Sequence, residues 1–120
     1  MLLGRLDDAR RNADRAVETS SSQPGFAAYA LHLIGDIATH PDQSDPRSGE
    51  TYYRQALALA EPRGMQPLIA HCQQGLGTLY RRTGRDEQAQ ERLNLATKMY
   101  REMGMTYWLG RAESELSQLR

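Results

Sequence analysis

The stretch Gly75-Leu76-Gly77-Thr78-Leu79-Tyr80-Arg81-Arg82-Thr83-Gly84-Arg85-Asp86-Glu87-Gln88-Ala89-Gln90-Glu91-Arg92-Leu93-Asn94-Leu95-Ala96 reads as a helix, a glycine turn and a second helix. Downstream of Gly84, the residues Ala89, Leu93, Ala96, Tyr100 and Met103 step by 4, 3, 4 and 3, which is one apolar stripe on an α-helix. Small side chains at Gly77, Ala89 and Ala96 let two helix backbones approach closely, and Tyr80 and Leu93 are large enough to fill the gaps between them. The stretch is thus expected to form a packed helical hairpin.

The same hairpin recurs outward from this point. Ala56-Leu57-Ala58-Leu59-Ala60 through Gly64-Met65 matches Ala96-Thr97-Lys98-Met99-Tyr100 through Gly104-Met105 at an offset of 40 residues. That offset also carries Ala16 to Ala56 to Ala96, and Gly4, Ala9, Ala13 and Ala16 share the spacing of Gly84, Ala89, Leu93 and Ala96. A different helix alternates with these copies, marked by Leu31, Ile34 and Gly35 and again by Gln73, Leu76, Gly77 and Tyr80. A fixed period of this length is the signature of a repeat array.

Boundaries follow from local chemistry. Gly64 and Gly104 can take the left-handed conformation that closes a helix, with Met65 and Met105 placed for the accompanying apolar contact. Asp45 ahead of Pro46 reads as a cap followed by a first-turn proline, Pro67 begins the fourth helix, and Thr106 is expected to cap the last. Six helices are expected, over 5–19, 25–39, 46–63, 66–83, 86–103 and 106–119. The polar segment 39–46, with prolines at 41 and 46, is an enlarged turn. β-branched residues are few and scattered, so no substantial sheet is expected. The expected organisation is one domain over 1–120, made of a partial repeat 1–24, repeats 25–65 and 66–105, and a terminal capping helix 106–120.

With 15 Lys+Arg against 15 Asp+Glu, no net field favours nucleic acid or an anionic membrane. The single cysteine, Cys72, cannot pair within the chain, which fits a reducing compartment, and the expected location is the cytoplasm. The N-terminal residues Met1 to Asp7 read as neither signal peptide nor membrane span.

These residues resemble the tetratricopeptide pattern: a small residue and an aromatic on the first helix of each pair, a turn glycine, then small, large and small residues on the second. Gly77, Tyr80, Gly84, Ala89, Leu93 and Ala96 fill those positions in the best copy. Leu31, Ile34, Gly35, Gly49, Tyr53 and Ala56 fill a looser one, with Ala38 at the aromatic position and two residues added in the turn. The resemblance implies an all-α, right-handed α-α superhelix of about six antiparallel helices, with a concave groove lined by first-helix residues. Those map to Tyr29, His32, Asp36, Thr39, His71, Gln74, Thr78, Arg81 and Arg111. Family members that clamp C-terminal carboxylates use Lys and Asn at groove positions occupied here by His32 with Asp36 and by Gln74 with Thr78. Over about residues 50–116, runs such as Leu79-Tyr80-Arg81-Arg82-Thr83-Gly84 are similar to the C-terminal repeat regions of large bacterial signalling proteins. In those proteins the repeats follow a nucleotide cyclase or transcription-regulator head and an ATPase; no cyclase or ATPase residue carries over.

Little in the sequence points to catalysis. His32, His40 and His71 are not grouped, and no carboxylate pair joins them at metal-ligand spacing. Adjacent helical residues diverge, so His71 cannot readily act as a base for Cys72, which reads as a small buried hydrophobe. Gly75-x-Gly77 lies inside a helix, where its amides are already bonded, so close packing explains it better than phosphate binding. Arg81, Arg82 and Arg85 suit a helix C-terminus and also offer a corner for a partner's anion. Trp108, Ala112, Leu116 and Leu119 form the stripe by which the last helix packs on the fifth. Leu2, Leu3 and Leu6 leave an apolar face for upstream residues or for self-association. The expectation is a binding module with a protein or peptide partner, no cofactor, no metal and no bond made or broken. The other reading is a regulatory segment of a multidomain signalling enzyme.

Overall fold

The computed structural model describes residues 24–40 and 46–119. The expected helix over 5–19 and the expected cap at Asp45 lie outside the described residues. Within them the chain is all-α, without a strand: α1 (Pro24–Ala38), α2 (Pro46–Ala60), α3 (Gln66–Arg82), α4 (Asp86–Met103) and α5 (Thr106–Ser117), with a single 3-10 turn at Glu61–Arg63. No helix among the described residues is long and apolar enough to cross a membrane.

The chain forms two compact units, Met1–Met65 and Gln66–Arg120. In the first, α1 and α2 make a hairpin whose closest approach is set by glycine. A Cβ on Gly35 would lie 2.8 Å from the Tyr53 ring, and nearer the turn Gly49 sits against the Thr39 methyl. In the second unit a Cβ on Gly77 would lie 2.6 Å from Leu93 Cγ. Both hairpins are therefore closed by the same device, a first-helix glycine receiving a large second-helix residue. Leu93, Tyr53 and the alanines Ala56, Ala89 and Ala96 are all buried, as the apolar stripe demands.

The helix stops work as the residue types predict. Gly64, Gly84 and Gly104 all have positive φ, at 62°, 81° and 70°. At each, the glycine N–H bonds back three residues and the next N–H five: Gly64 to Glu61 and Met65 to Ala60, Gly84 to Arg81 and Arg85 to Tyr80, Gly104 to Arg101 and Met105 to Tyr100. This double closure satisfies carbonyls that a helix end otherwise leaves orphaned. The apolar contact that normally accompanies it is replaced at the second stop by the Arg85 guanidinium, 4.4 Å from the Tyr80 ring centroid.

One start differs from expectation. Met105, with no side-chain cap, occupies the cap position of α5, and Thr106 is already helical. The closure of α4 consumes Gly104 and Met105, so no residue is left between the stop and the next helix for Thr106 to cap from outside.

In the second unit α4 is packed by both α3 and α5. Ala70, Ala96, Tyr100 and Ala112 form a buried cluster, surrounded by Met99, Met103, Met105, Trp108 and Leu109. Two bridges join α3 to α5, Thr78 Oγ1 donating to Glu115 Oε2 at 2.5 Å and His71 meeting Trp108 edge-on at 4.7 Å between centroids. Both span the same sequence separation, so α3 and α5 run in the same direction. Ala89 is fully buried while Gln90 is exposed. Ala89→Leu should therefore overpack the hairpin and lose about 1–3 kcal/mol. In thermal melts Gln90→Leu should stay near the wild type, and equal melting temperatures for the two variants would refute this register.

Candidate functional site

The expected groove residues divide between the two units. In the first, Asp36 and Thr39 meet at the Tyr53 hydroxyl, which α2 carries, while His32 lies beside Asp36 and the Tyr53 ring. Tyr53 donates to Asp36 Oδ1 at 2.5 Å, and the Thr39 hydroxyl lies 3.3 Å from the Tyr53 hydroxyl oxygen. Thr39 Oγ1 also lies 3.0 Å from the Gly35 carbonyl oxygen and 3.2 Å from that of Asp36. His32 Nδ1 is 3.6 Å from Asp36 Oδ2, and its ring lies 5.6 Å from that of Tyr53. Tyr29 stands apart from this cluster, 53% exposed.

In the second unit Tyr100 plays the part of Tyr53. Its hydroxyl donates to Gln74 Oε1 at 2.8 Å and sits 2.7 Å from His71 Nδ1. A tyrosine has one proton, so with that proton on Gln74 the second bond needs the His71 tautomer that carries hydrogen on Nδ1. Gln74 is only 8% exposed. The Tyr100 hydroxyl is what makes that burial tolerable. Trp108 closes the cluster, stacked on Tyr100 at 6.4 Å. Thr78 is held by Glu115. Arg111 lies over two rings, 5.6 Å from Trp108 and 6.0 Å from Tyr107. Arg81 keeps its Nε buried without a hydrogen-bond partner among the described residues.

Sequence reasoning missed the organisers of these clusters, Tyr53, Tyr100 and Glu115. A signal was present for the first two: a tyrosine in a buried stripe must find a partner for its hydroxyl, and the nearest polar side chains on a facing helix are the first-helix residues. Glu115 carries no comparable signal, since a lone glutamate on an exposed helix is ordinary. Among the described residues no group of three or more His, Cys, Asp or Glu could hold a metal ion. Cys72 is buried.

No match to the chain was found among curated proteins. A family model described as a tetratricopeptide repeat matches residues 26–102, which takes in all of α2 and α3 and nearly all of α1 and α4. With that match and the two glycine-closed hairpins, the chain belongs to the tetratricopeptide repeat family.

Proposed function

We propose that the chain is a non-catalytic module that binds a protein or peptide partner through the faces of its first helices, α1 in one unit and α3 with α5 in the other. Repeats of this family generally mediate protein–protein interaction and are generally not catalytic. The observation that carries the reading is the locking of first-helix polar residues by a second-helix tyrosine in both units. Side chains fixed before a partner arrives lose less conformational freedom on binding. Tyr29, Asp36 and Arg111 are exposed and available for direct contact, whereas Gln74 is buried beneath the face, and His32, Thr39, His71, Thr78 and Arg81 are half-buried.

The test uses peptides selected from a displayed random library against the folded chain. Tyr29→Ala and Arg111→Ala are expected to weaken binding of the peptides that use their unit by about tenfold, the scale of an exposed aromatic or arginine anchor. Gln90→Ala, on the outer side of α4, should leave binding unchanged. Peptides that respond to Gln90 and to neither of the other two would place the binding surface elsewhere and end this reading.

A second reading, resting on the resemblance of residues 50–116 to the repeat tails of bacterial signalling proteins, makes the chain the regulatory segment of a larger cytoplasmic protein. A cyclase or ATPase sequence in the same reading frame would establish it, and a reading frame without either would remove it. Self-association through the N-terminal apolar residues belongs to the first reading; a monomer mass at high protein concentration would exclude it.

A further inference from the structure

Tyr29 and Leu33 are large hydrophobic residues left 53% and 51% exposed on the same helix, α1. Successive helical residues turn by about 100°, so Tyr29, Leu33 and Asp36 fall on one narrow stripe, two turns long or about 10 Å. The stripe therefore begins with an aromatic ring, continues with an aliphatic side chain and ends with a carboxylate. Asp36 is the one acidic residue of α1, and the helix holds no lysine or arginine. Its carboxylate is half-exposed, and Oδ1 is tied down by the Tyr53 hydroxyl. Among the described residues no lysine or arginine nitrogen lies within ion-pair distance of it.

Charge is the distinguishing feature of this stripe. At the corresponding places on α3 stand His71, Gly75 and Thr78, followed by Arg81 and Arg82, so the second unit offers neither the apolar pair nor the carboxylate. We propose that the α1 stripe of the first unit is a docking surface for a partner segment that carries a lysine or arginine next to an apolar side chain. The apolar side chain and the aliphatic stem of the cation cover Leu33 and the Tyr29 ring, and the charged head sits on Asp36 Oδ2, alongside His32 Nδ1, which lies 3.6 Å from that oxygen. The carboxylate is held in place beforehand by a bond the partner does not have to make. This inference rests on the first-helix reading of the binding face and narrows it to one partner chemistry.

The experiment titrates the full chain with a fluorescein-labelled, alanine-based helical peptide of 14 residues carrying two leucines one turn apart and a lysine one turn beyond. Two further peptides replace the lysine by glutamine or by glutamate. Anisotropy gives affinity, and backbone amide shifts locate the site. The lysine peptide should bind most tightly and shift α1. Asp36→Asn keeps the acceptor for Tyr53 and removes the charge, so it should weaken the lysine peptide by about two- to fivefold at low salt and leave the glutamine peptide unchanged. Leu33→Ser, at an exposed position, should weaken all three. Equal binding of the three peptides to α1, indifferent to Asp36→Asn, would overturn the cation preference while leaving the first-helix face intact. If no peptide shifts any residue of α1, this inference falls, and the broader reading is then decided by the Tyr29 and Arg111 variants.

Discussion

Tyr100→Ala is expected to cost the second unit about 3–5 kcal/mol, the range for truncating a fully buried aromatic residue. Tyr100 is completely buried, joins Ala70, Ala96 and Ala112 in one cluster, and stacks on Trp108. The more informative variant is Tyr100→Phe, which keeps the ring and removes only the hydroxyl. Gln74 Oε1 and His71 Nδ1 then lose their shared partner, and because Gln74 is buried, water cannot readily replace it. The loss should be about 1–3 kcal/mol, or about 4–8 °C in Tm for each kcal/mol in a unit of this size. Tyr53→Phe should cost less, because Asp36 is exposed and can turn to solvent. Trp108 is the only tryptophan in the chain, so its fluorescence follows unfolding of the second unit alone. A Tyr100→Phe melt that overlays the wild type would show that the buried cluster does not hold the unit together.

Leu93→Ala is expected to lose about 2–5 kcal/mol, since Leu93 is fully buried and its removal leaves a cavity between α3 and α4. Its partner in that space is the missing side chain of Gly77. Alanine favours helix over glycine by about 1 kcal/mol, yet Gly77→Ala should destabilise by about 1–3 kcal/mol, because the new methyl lies 2.6 Å from Leu93 Cγ. The double variant is the decisive measurement. A methyl at position 77 partly refills the space vacated at 93, so the combined loss should be smaller than the two single losses together. Strict additivity would mean that the two residues do not share that space.

Much of the fold was legible because it depends on short-range rules. Glycine closures need only φ and neighbouring amides, so Gly64 and Gly104 could be placed as stops from residue type. The 4-3 stripe from Ala89 to Met103 fixed which face of α4 is buried. The cap at Thr106 was misplaced because two adjacent motifs compete for the same residues, and the closure of α4 takes precedence. The candidate site was legible only as a set of positions. Periodicity places His71, Gln74 and Thr78 on the first-helix face, but whether they meet solvent depends on side chains from other helices, Tyr100 and Glu115. Those pairings are fixed by how helices dock, which no local spacing encodes.

Gly64, Gly84 and Gly104 stand 20 residues apart, and each carries the same double closure. The punctuation therefore repeats twice as often as the pattern of buried residues, which alternates between two helix types and returns only after 40. In-frame insertion or loss of one 20-residue segment bounded by these glycines would keep the helix ends at them properly closed but would exchange the two types downstream, setting tyrosine and leucine where glycine is required. Two segments together restore the alternation. Length variation in such a chain is thus confined to even numbers of helices, a parity rule imposed by packing although the turns themselves are indifferent to it.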